Sequence, residues 1–266
     1  GRAANGEEYR GLTEATHQRL SLLSYNIQTG VDTQRYRQYV TQGWKHVLPN
    51  RERQLNLDRI AHMIRHYDVV GLQEVDSGSL RSGFVDQTEY LAHRAGFPFW
   101  YKQINRSLGK FAQHSNGMLS RMRPSGVSEH RLPGLRGRGA IFCQFGGREG
   151  LTICIMHLAL GRRSRLRQVQ FVSELVADLP HVIIMGDLNC NCESREIKLL
   201  MSSAGLKDSG CDESTFPSWR PMRRIDHILV SESLLVENAR VLDYPMSDHL
   251  PIGIDVLIPK GLDIAA

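Results

Sequence analysis

Short apolar, β-branched runs that alternate with amphipathic stretches constrain this chain more than any other feature of its sequence. Leu20–Tyr25, Asp68–Gln73, Gly117–Ser120, Ala140–Phe145, Leu151–Met156, Val182–Met185, Ile225–Val230 and Ile252–Ile258 read as strands. Gln54–Tyr67 places Leu57, Ile60, Ala61 and Ile64 at the i, i+3, i+4, i+7 spacing of one helix face. Further helices are predicted over Gln87–Ala95, ended by Gly96, over Arg165–Leu179, and over Glu193–Ala204, ended by Gly205. Strands outnumber helices, which points to an α/β protein with two sheets. Residues 1–18 are polar and aperiodic and predict a flexible or disordered tail; residues 19–260 then form a single domain. The Pro/Gly/Arg-rich stretch 123–139 joins two strands inside that domain.

A chain of 266 residues, 41% apolar and 23% charged, can bury a large core and is neither disordered nor fibrous. Its 33 Lys and Arg against 28 Asp and Glu give a formal charge of +5, a mild bias toward polyanionic partners such as nucleic acid or an anionic membrane face. Cys143 and Cys154 sit in apolar runs, and the odd set of five cysteines reads as reduced, which suggests a cytoplasmic protein. Cys190 and Cys192 have the spacing of half a zinc site, but no second pair follows. No apolar run approaches the roughly 20 residues needed to cross a bilayer. The opening Gly-Arg-Ala-Ala-Asn-Gly has no initiator Met and no apolar signal core, so residue 1 reads as a cleavage scar, with room for a signal or anchor upstream. A monomer is expected.

The chemistry lies where the apolar runs stop. Each ends in a polar cluster: Tyr25-Asn26, Gln73-Glu74, His157, Gly186-Asp187-Leu188-Asn189, Arg224-Ile225-Asp226-His227, and, near the C-terminus, Ser247-Asp248-His249. In α/β sheets, ligands gather at the carboxyl ends of strands. A set rich in carboxylate and carboxamide oxygen suits a hard divalent cation, Mg²⁺ or Mn²⁺. Two histidines beside carboxylates suit phosphate binding and proton transfer. The combination describes metal-assisted hydrolysis of a phosphate ester.

These segments, together with Leu72-Gln73-Glu74-Val75, Asn116-Gly117, Leu119-Ser120-Arg121 and His157-Leu158, resemble the endonuclease/exonuclease/phosphatase superfamily, the DNase I-like fold. Each segment alone is weak; together, in the family's order over residues 20–258, they are strong. The resemblance implies a four-layer α/β/β/α sandwich, with two mixed sheets packed face to face between outer helices. It implies that Glu74 is the main metal ligand, with Asn26 beside it and Asp248 at that metal or a second one. Asp187 would orient or deprotonate the attacking water, and Asn189 would fix the phosphate or that water. His249 would hydrogen-bond the phosphate with Asp226 as its carboxylate partner, and His157 would be a second histidine at the phosphate. The other nine histidines read as surface or packing residues, with His114 the one expected nearest the site.

Weaker substrate-binding candidates are Asn116 beside Gly117 and three arginines, Arg138, Arg165 and Arg224. They belong to basic clusters: Arg131, Arg136 and Arg138; Arg162, Arg163, Arg165 and Arg167; Arg220, Arg223 and Arg224, with Trp219 adjoining. Arginine forks match phosphate oxygens, and a solvated charged surface is the plain alternative. Met185 before Gly-Asp-Leu-Asn and Arg224 before Ile-Asp-His depart from the inositol 5-phosphatase pattern; Val75-Asp76 departs from that of abasic endonucleases. The pattern looks most like uncharacterised bacterial members. A nuclease or DNA-end phosphodiesterase is favoured by the basic charge. A phosphoesterase acting on a lipid headgroup or small molecule is the alternative, and a non-catalytic binding module is disfavoured because every expected site position is filled.

Overall fold

The computed structural model describes residues 16–28, 50–76, 86–103, 114–134, 137–209 and 212–264. Most of the predicted tail, Arg136, Cys211 and the His114 side chain lie outside the described residues. Two six-stranded sheets carry the fold. The first contains β1 (His17–Asn26), β2 (Val69–Asp76), β3 (Phe99–Lys102), β4 (His114–Ser120), β11 (Leu235–Val241) and β12 (Ile252–Pro259), in the order β11-β12-β1-β2-β4-β3. The second contains β5 (Gly126–Arg131), β6 (Gly139–Phe145), β7 (Leu151–His157), β8 (Val182–Asp187), β9 (Leu206–Asp208) and β10 (Asp226–Ser231), in the order β5-β6-β7-β8-β10-β9.

Both sheets have the same pairing pattern. One central parallel pair, β1/β2 or β7/β8, is flanked on each side by antiparallel neighbours. Each parallel pair is joined through a helix, α1 (Asn50–Ile64) in the first sheet and α3 (Arg162–Val176) in the second, because a parallel connection must cross from one end of the sheet to the other. The strands β1, β2, β7 and β8 therefore all end at the rim where their helices depart.

Alternation along the strands divides the side chains between layers. Leu20 and Leu22 of β1, Val69 of β2, Ile153 and Ile155 of β7, Ile183 and Met185 of β8, and Ile228 and Val230 of β10 fill the core between the sheets. The intervening Leu23, Tyr25, Val70 and Leu72 face outward against Leu57, Ile60 and Ile64 of α1 and Leu91 and Ala92 of α2 (Gln87–Ala95). On the other flank, Cys154, Met156, Val182, Ile184 and Leu229 meet Val169, Val172 and Val176 of α3 and Ile197 and Leu200 of α4 (Arg195–Ala204). The layers are α/β/β/α, as the sequence implied. Helix α2 opens on Asp86, whose side chain accepts from Glu89 N, and closes on Gly96 at φ 75; α4 opens on Ser194 and closes on Gly205 at φ 64. Both ends are ordinary N-caps and left-handed C-caps.

Stretch 123–139 belongs to the second sheet. It contains β5, which pairs antiparallel with β6 from Gly126↔Gln144 to Arg131↔Gly139, so it forms an edge hairpin. The cysteines Cys143, Cys154, Cys190 and Cys192 are buried free thiols.

Gly186 marks a close approach of β7 and β8. A Cβ there would stand 1.8 Å from the carbonyl oxygen of Met156, a backbone atom that cannot swing aside. Gly186→Ala should therefore cost about 3 kcal/mol, through overpacking, read as a lower urea midpoint. Gly96→Ala, with nothing within 4 Å of its Cβ but a φ of 75, should cost only about 1 kcal/mol. Equal midpoints for the two variants would refute the close-packing argument.

Candidate active site

The rim residues continue the inward face of the core. Asn26 follows Leu20 and Leu22 at even spacing. His157 follows Ile153 and Ile155, Asp187 follows Ile183 and Met185, and Asp226 precedes Ile228 and Val230. Asp226 and Asp187 are also direct partners in the β8/β10 register, and His157 and Asp187 are partners in β7/β8. His227, one residue out of phase with Asp226, points the other way. Its Nε2 donates to the Cys190 carbonyl at 2.6 Å, and its Nδ1 meets Cys192 Sγ at 3.2 Å.

Glu74 needs a different device. The β2/β4 register shifts between Leu72 and Val75, a bulge that places Gln73 and Glu74 opposite one residue of β4. Glu74 adopts φ 53 there. Val75 packs outward with the α1 layer, and Gln73 reaches inward to Ser24 Oγ at 3.3 Å. The bulge thus turns Glu74 to the inward side, close enough to Asp248 to raise that residue's pKa.

Asp187 is the hub. Its Oδ2 accepts from Asn26 Nδ2 at 3.0 Å and lies 3.3 Å from His157 Nε2 and 3.5 Å from His249 Nε2. Its Oδ1 accepts from Asn189 N at 3.1 Å. Across the ring, His249 Nδ1 lies 2.7 Å from Asp226 Oδ2. Asn26, Asp187 and Asp226 are each no more than 2% exposed. Burial alone would raise the Asp187 pKa, but His249 and His157, with the Asn26 hydrogen bond, outweigh it and hold the carboxyl well below the ordinary range. Burial alone would lower the His249 pKa, but Asp226, Asp187 and Asp248 outweigh it and raise it to about 10. Asp226 is pushed up by burial and by the charge on Asp187. At neutral pH the group therefore holds an anionic Asp187 and a cationic His249.

Two supports have no signal in the sequence, and a third, Ser247, stands in the Ser247-Asp248-His249 cluster with no role assigned to it there. Thr215 Oγ1 donates to Asp226 Oδ2 at 2.6 Å. Ser247 Oγ donates to the Asn26 carbonyl at 2.6 Å and accepts from His249 N at 3.2 Å, which ties the last loop to β1. The Phe216 ring lies 4.9 Å from that of His249. Thr215 and Phe216 sit in a polar stretch without a period, so no sequence signal marks them.

Five further candidates have defined positions. Asn116 Nδ2 donates to Gln103 Oε1 at 3.0 Å and to the Gly139 carbonyl at 2.8 Å, joining β4 of one sheet to β6 of the other. Asn189 Nδ2 donates to the Leu158 carbonyl at 2.7 Å. Arg165 pairs with Glu196 at 3.2 Å and holds the Ala159 and Leu160 carbonyls of the loop after His157. Arg224 pairs with Asp208, and Arg138 is half-buried without a side-chain partner among the described residues.

Two donor groups at this rim invite a cation. Asp187, Asp226 and His249 offer ligand atoms within 4.8 Å of one another. The protonated His249 already supplies the positive charge there, held between both carboxylates. Glu74 and Asp248 lie on the adjoining side. Burial, reinforced by Glu74 and opposed by His249, lifts the Asp248 pKa to about 6. Hard oxygen donors of this kind fit Mg²⁺ or Mn²⁺.

The raised His249 pKa has a stability consequence. Folding moves it from an ordinary 6.5 to about 10, so its contribution is complete below pH 6.5 and is lost as pH rises through about 10. In metal-free protein the His249 imidazole should still be protonated at pH 8 by NMR, and Asp226→Asn should lower its pKa. A His249 resonance that titrates near 6.5 in the parent protein would refute the charge assignment.

The model of the endonuclease/exonuclease/phosphatase family matches residues 23–249. No curated protein matches the chain. Among solved structures, a family protein from Bacteroides thetaiotaomicron superposes with TM-score 0.68 at 19% identity, covering 91% of this chain and 98% of its own. The mannosyl-6-phosphatase of the same organism gives TM-score 0.68 at 18% identity, with 89% and 99% covered. The catalytic domain of human Nocturnin gives 0.63 at 18%, with 90% and 96% covered. At these identities the likeness establishes the fold, and the family match establishes the reaction class: the chain is a phosphoric ester hydrolase belonging to the endonuclease/exonuclease/phosphatase family.

Proposed function

We propose that this protein is a Mg²⁺- or Mn²⁺-dependent phosphodiesterase that cleaves nucleic acid. The observation that carries the reading is the buried Asp187, anionic and flanked by Asn26, His157 and His249 where the two sheets meet. Such a carboxylate can accept a proton from water and orient it for attack on phosphorus. Its low pKa favours orientation over full proton abstraction. The cationic His249, fixed by Asp226 through Nδ1, presents Nε2–H toward the same space and can donate to a phosphoryl oxygen. His157 Nε2 lies 3.3 Å from the same Asp187 oxygen and can serve a second phosphoryl oxygen or the leaving group. Glu74 and Asp248, with Asn26 beside them, would hold the cation, which supplies charge neutralisation at the phosphoryl oxygens when bound.

The nucleic-acid substrate is favoured by the charge of +5 and by the arginine clusters. Small phosphoesters are the second reading, supported by the solved relatives named as a mannosyl-6-phosphatase and a 2′,3′-cyclic phosphatase. No helix among the described residues is long and apolar enough to cross a membrane. Buried free thiols favour a reducing, cytoplasmic setting.

The test is hydrolysis of supercoiled plasmid, single-stranded oligonucleotide and bis-p-nitrophenyl phosphate, with and without Mg²⁺ or Mn²⁺. Asp187→Ala should lose on the order of 10²–10⁴-fold in kcat while remaining folded. Metal-dependent cleavage of the small diester alone would move the assignment to small phosphoesters, and full activity in Asp187→Ala would refute the site.

A second prediction concerns Glu74. A non-glycine residue at φ 53 carries strain on the order of 1 kcal/mol. Glu74→Gly should retain or slightly raise the unfolding free energy and abolish metal-dependent turnover. Loss of stability together with retained activity would refute the metal-ligand role.

A further inference from the structure

Two of the arginine clusters that stand far apart in sequence converge on one cavity. Arg162 and Arg165 open α3, Arg195 opens α4, and Arg223 and Arg224 precede β10; all five line a cavity of about 610 Å³. That volume is in the range of small-ligand sites. Asn189 and Ile225 form its wall toward the rim. They stand two residues after Asp187 and one before Asp226, so the cavity adjoins the catalytic group through the same two segments.

The cavity is short of negative charge. Glu196 takes both Arg162, at 3.4 Å, and Arg165, at 3.2 Å. Arg224 pairs with Asp208 and, at 3.9 Å, with the exposed Asp212. Arg195 and Arg223 have no carboxylate partner among the described residues and are exposed. Five guanidinium groups thus face three carboxylates. Guanidinium forks select planar or tetrahedral oxyanions, phosphate above all.

We propose that this arginine-lined cavity is a subsite for a second phosphate of the substrate, one on the nucleic-acid strand beside the phosphate being cleaved. The assignment rests on the phosphodiesterase reading above, and it makes the enzyme selective for a strand over an isolated diester. A strand whose scissile phosphate meets Asp187 and His249 passes over Asn189 into the cavity. Arg195 and Arg223 supply the unpaired charge, while Arg162 and Arg165, already held by Glu196, form its fixed wall.

Binding can be read without turnover. A fluorescein-labelled single-stranded oligonucleotide is titrated in EDTA, by anisotropy, against the parent protein and Arg195→Glu/Arg223→Glu. The control, Arg148→Glu/Lys260→Glu, makes the same change in net charge with two exposed residues away from this rim: Arg148 stands in the β6–β7 turn, and Lys260 follows the end of β12. The subsite predicts at least a tenfold loss of affinity in the first variant and no more than threefold in the control. It also predicts a salt slope, log Kd against log salt, shallower by about 0.7 for each phosphate that the variant fails to neutralise. In Mg²⁺, the ratio of kcat/KM on oligonucleotide to that on bis-p-nitrophenyl phosphate should fall by the same factor. Equal losses in both double variants, or none in either, would overturn the subsite. Inorganic tripolyphosphate bound as tightly as the oligonucleotide, and equally dependent on Arg195 and Arg223, would overturn the strand in favour of a small polyphosphate. Arg195- and Arg223-dependent binding in a protein that cleaves no phosphodiester would remove the reaction reading and leave the subsite standing.

Discussion

Alternation of side chains across paired sheets is the constraint on which the rest depends. A strand that contributes an apolar residue to the space between the sheets contributes its next inward residue to the same space, until the strand leaves the rim. In β1, β7 and β8 the last inward position, and in β10 the first, is polar: Asn26, His157, Asp187 and Asp226. The shared pairing pattern of the two sheets brings the carboxyl ends of both central parallel pairs to one rim. The candidate catalytic group is thus the polar end of the core, and its geometry is set by the core packing beneath it.

Placing charge there is expensive, and the structure offsets the cost locally. Asp187 and Asp226 are almost fully buried, and an unpaired buried carboxylate would simply take up a proton. One cationic imidazole between them serves both, while Asn26 and the Asn189 amide donate to Asp187 and Thr215 donates to Asp226 Oδ2. Of these four carboxylate oxygens, Asp226 Oδ1 has no hydrogen-bond partner among the described residues. The same imidazole is held by a backbone donation to Ser247 Oγ and by the Phe216 ring, so its orientation does not depend on substrate. A preorganised donor of this kind stabilises developing charge without having to reorient at the moment of reaction.

The central strands were legible in the sequence because burial on both faces demands continuous apolar runs. The four strands that carry no such run, β3, β5, β9 and β11, are the four edges of the two sheets. Edge strands bury little. β5 reads Gly-Val-Ser-Glu-His-Arg and is mostly exposed, and β11 reads Leu-Val-Glu-Asn-Ala-Arg-Val with a break in register at its middle. Polar side chains, short length and bulges are how edges avoid pairing with other chains, and those same features erase the strand signal. Helix positions follow from apolar periodicity: α2 has the expected bounds and α4 the expected end, while α1 and α3 begin and end three or four residues earlier than periodicity alone puts them. For the site, the order of motifs picks out Asn26, Glu74, His157, Asp187, Asp226 and His249 as candidates, and the structure brings Asn26, His157, Asp187, Asp226 and His249 within hydrogen-bonding or ion-pair reach of one another. Nothing in the sequence marks Thr215, whose role is set by a loop returning beside β10. Nor does the sequence place Arg195 beside Arg223, a proximity made by the packing of α4 against the segment before β10.

Backbone strain separates function from folding at this rim. Asn189, at φ 51, is a residue type that tolerates the left-handed region, and its side chain and amide are both engaged in holding the loop. Glu74, at φ 53, has no such local reason. Glycine or asparagine would fit the bulge better, and glutamate makes no hydrogen bond there among the described residues that would offset the strain. Its carboxylate adds repulsion against Asp248, which burial already disfavours. A residue that is unfavourable for its own backbone and for its nearest acid gains nothing from the folded chain alone. The hard carboxylate oxygens on the Glu74–Asp248 side of the rim are of the kind that fit a divalent cation.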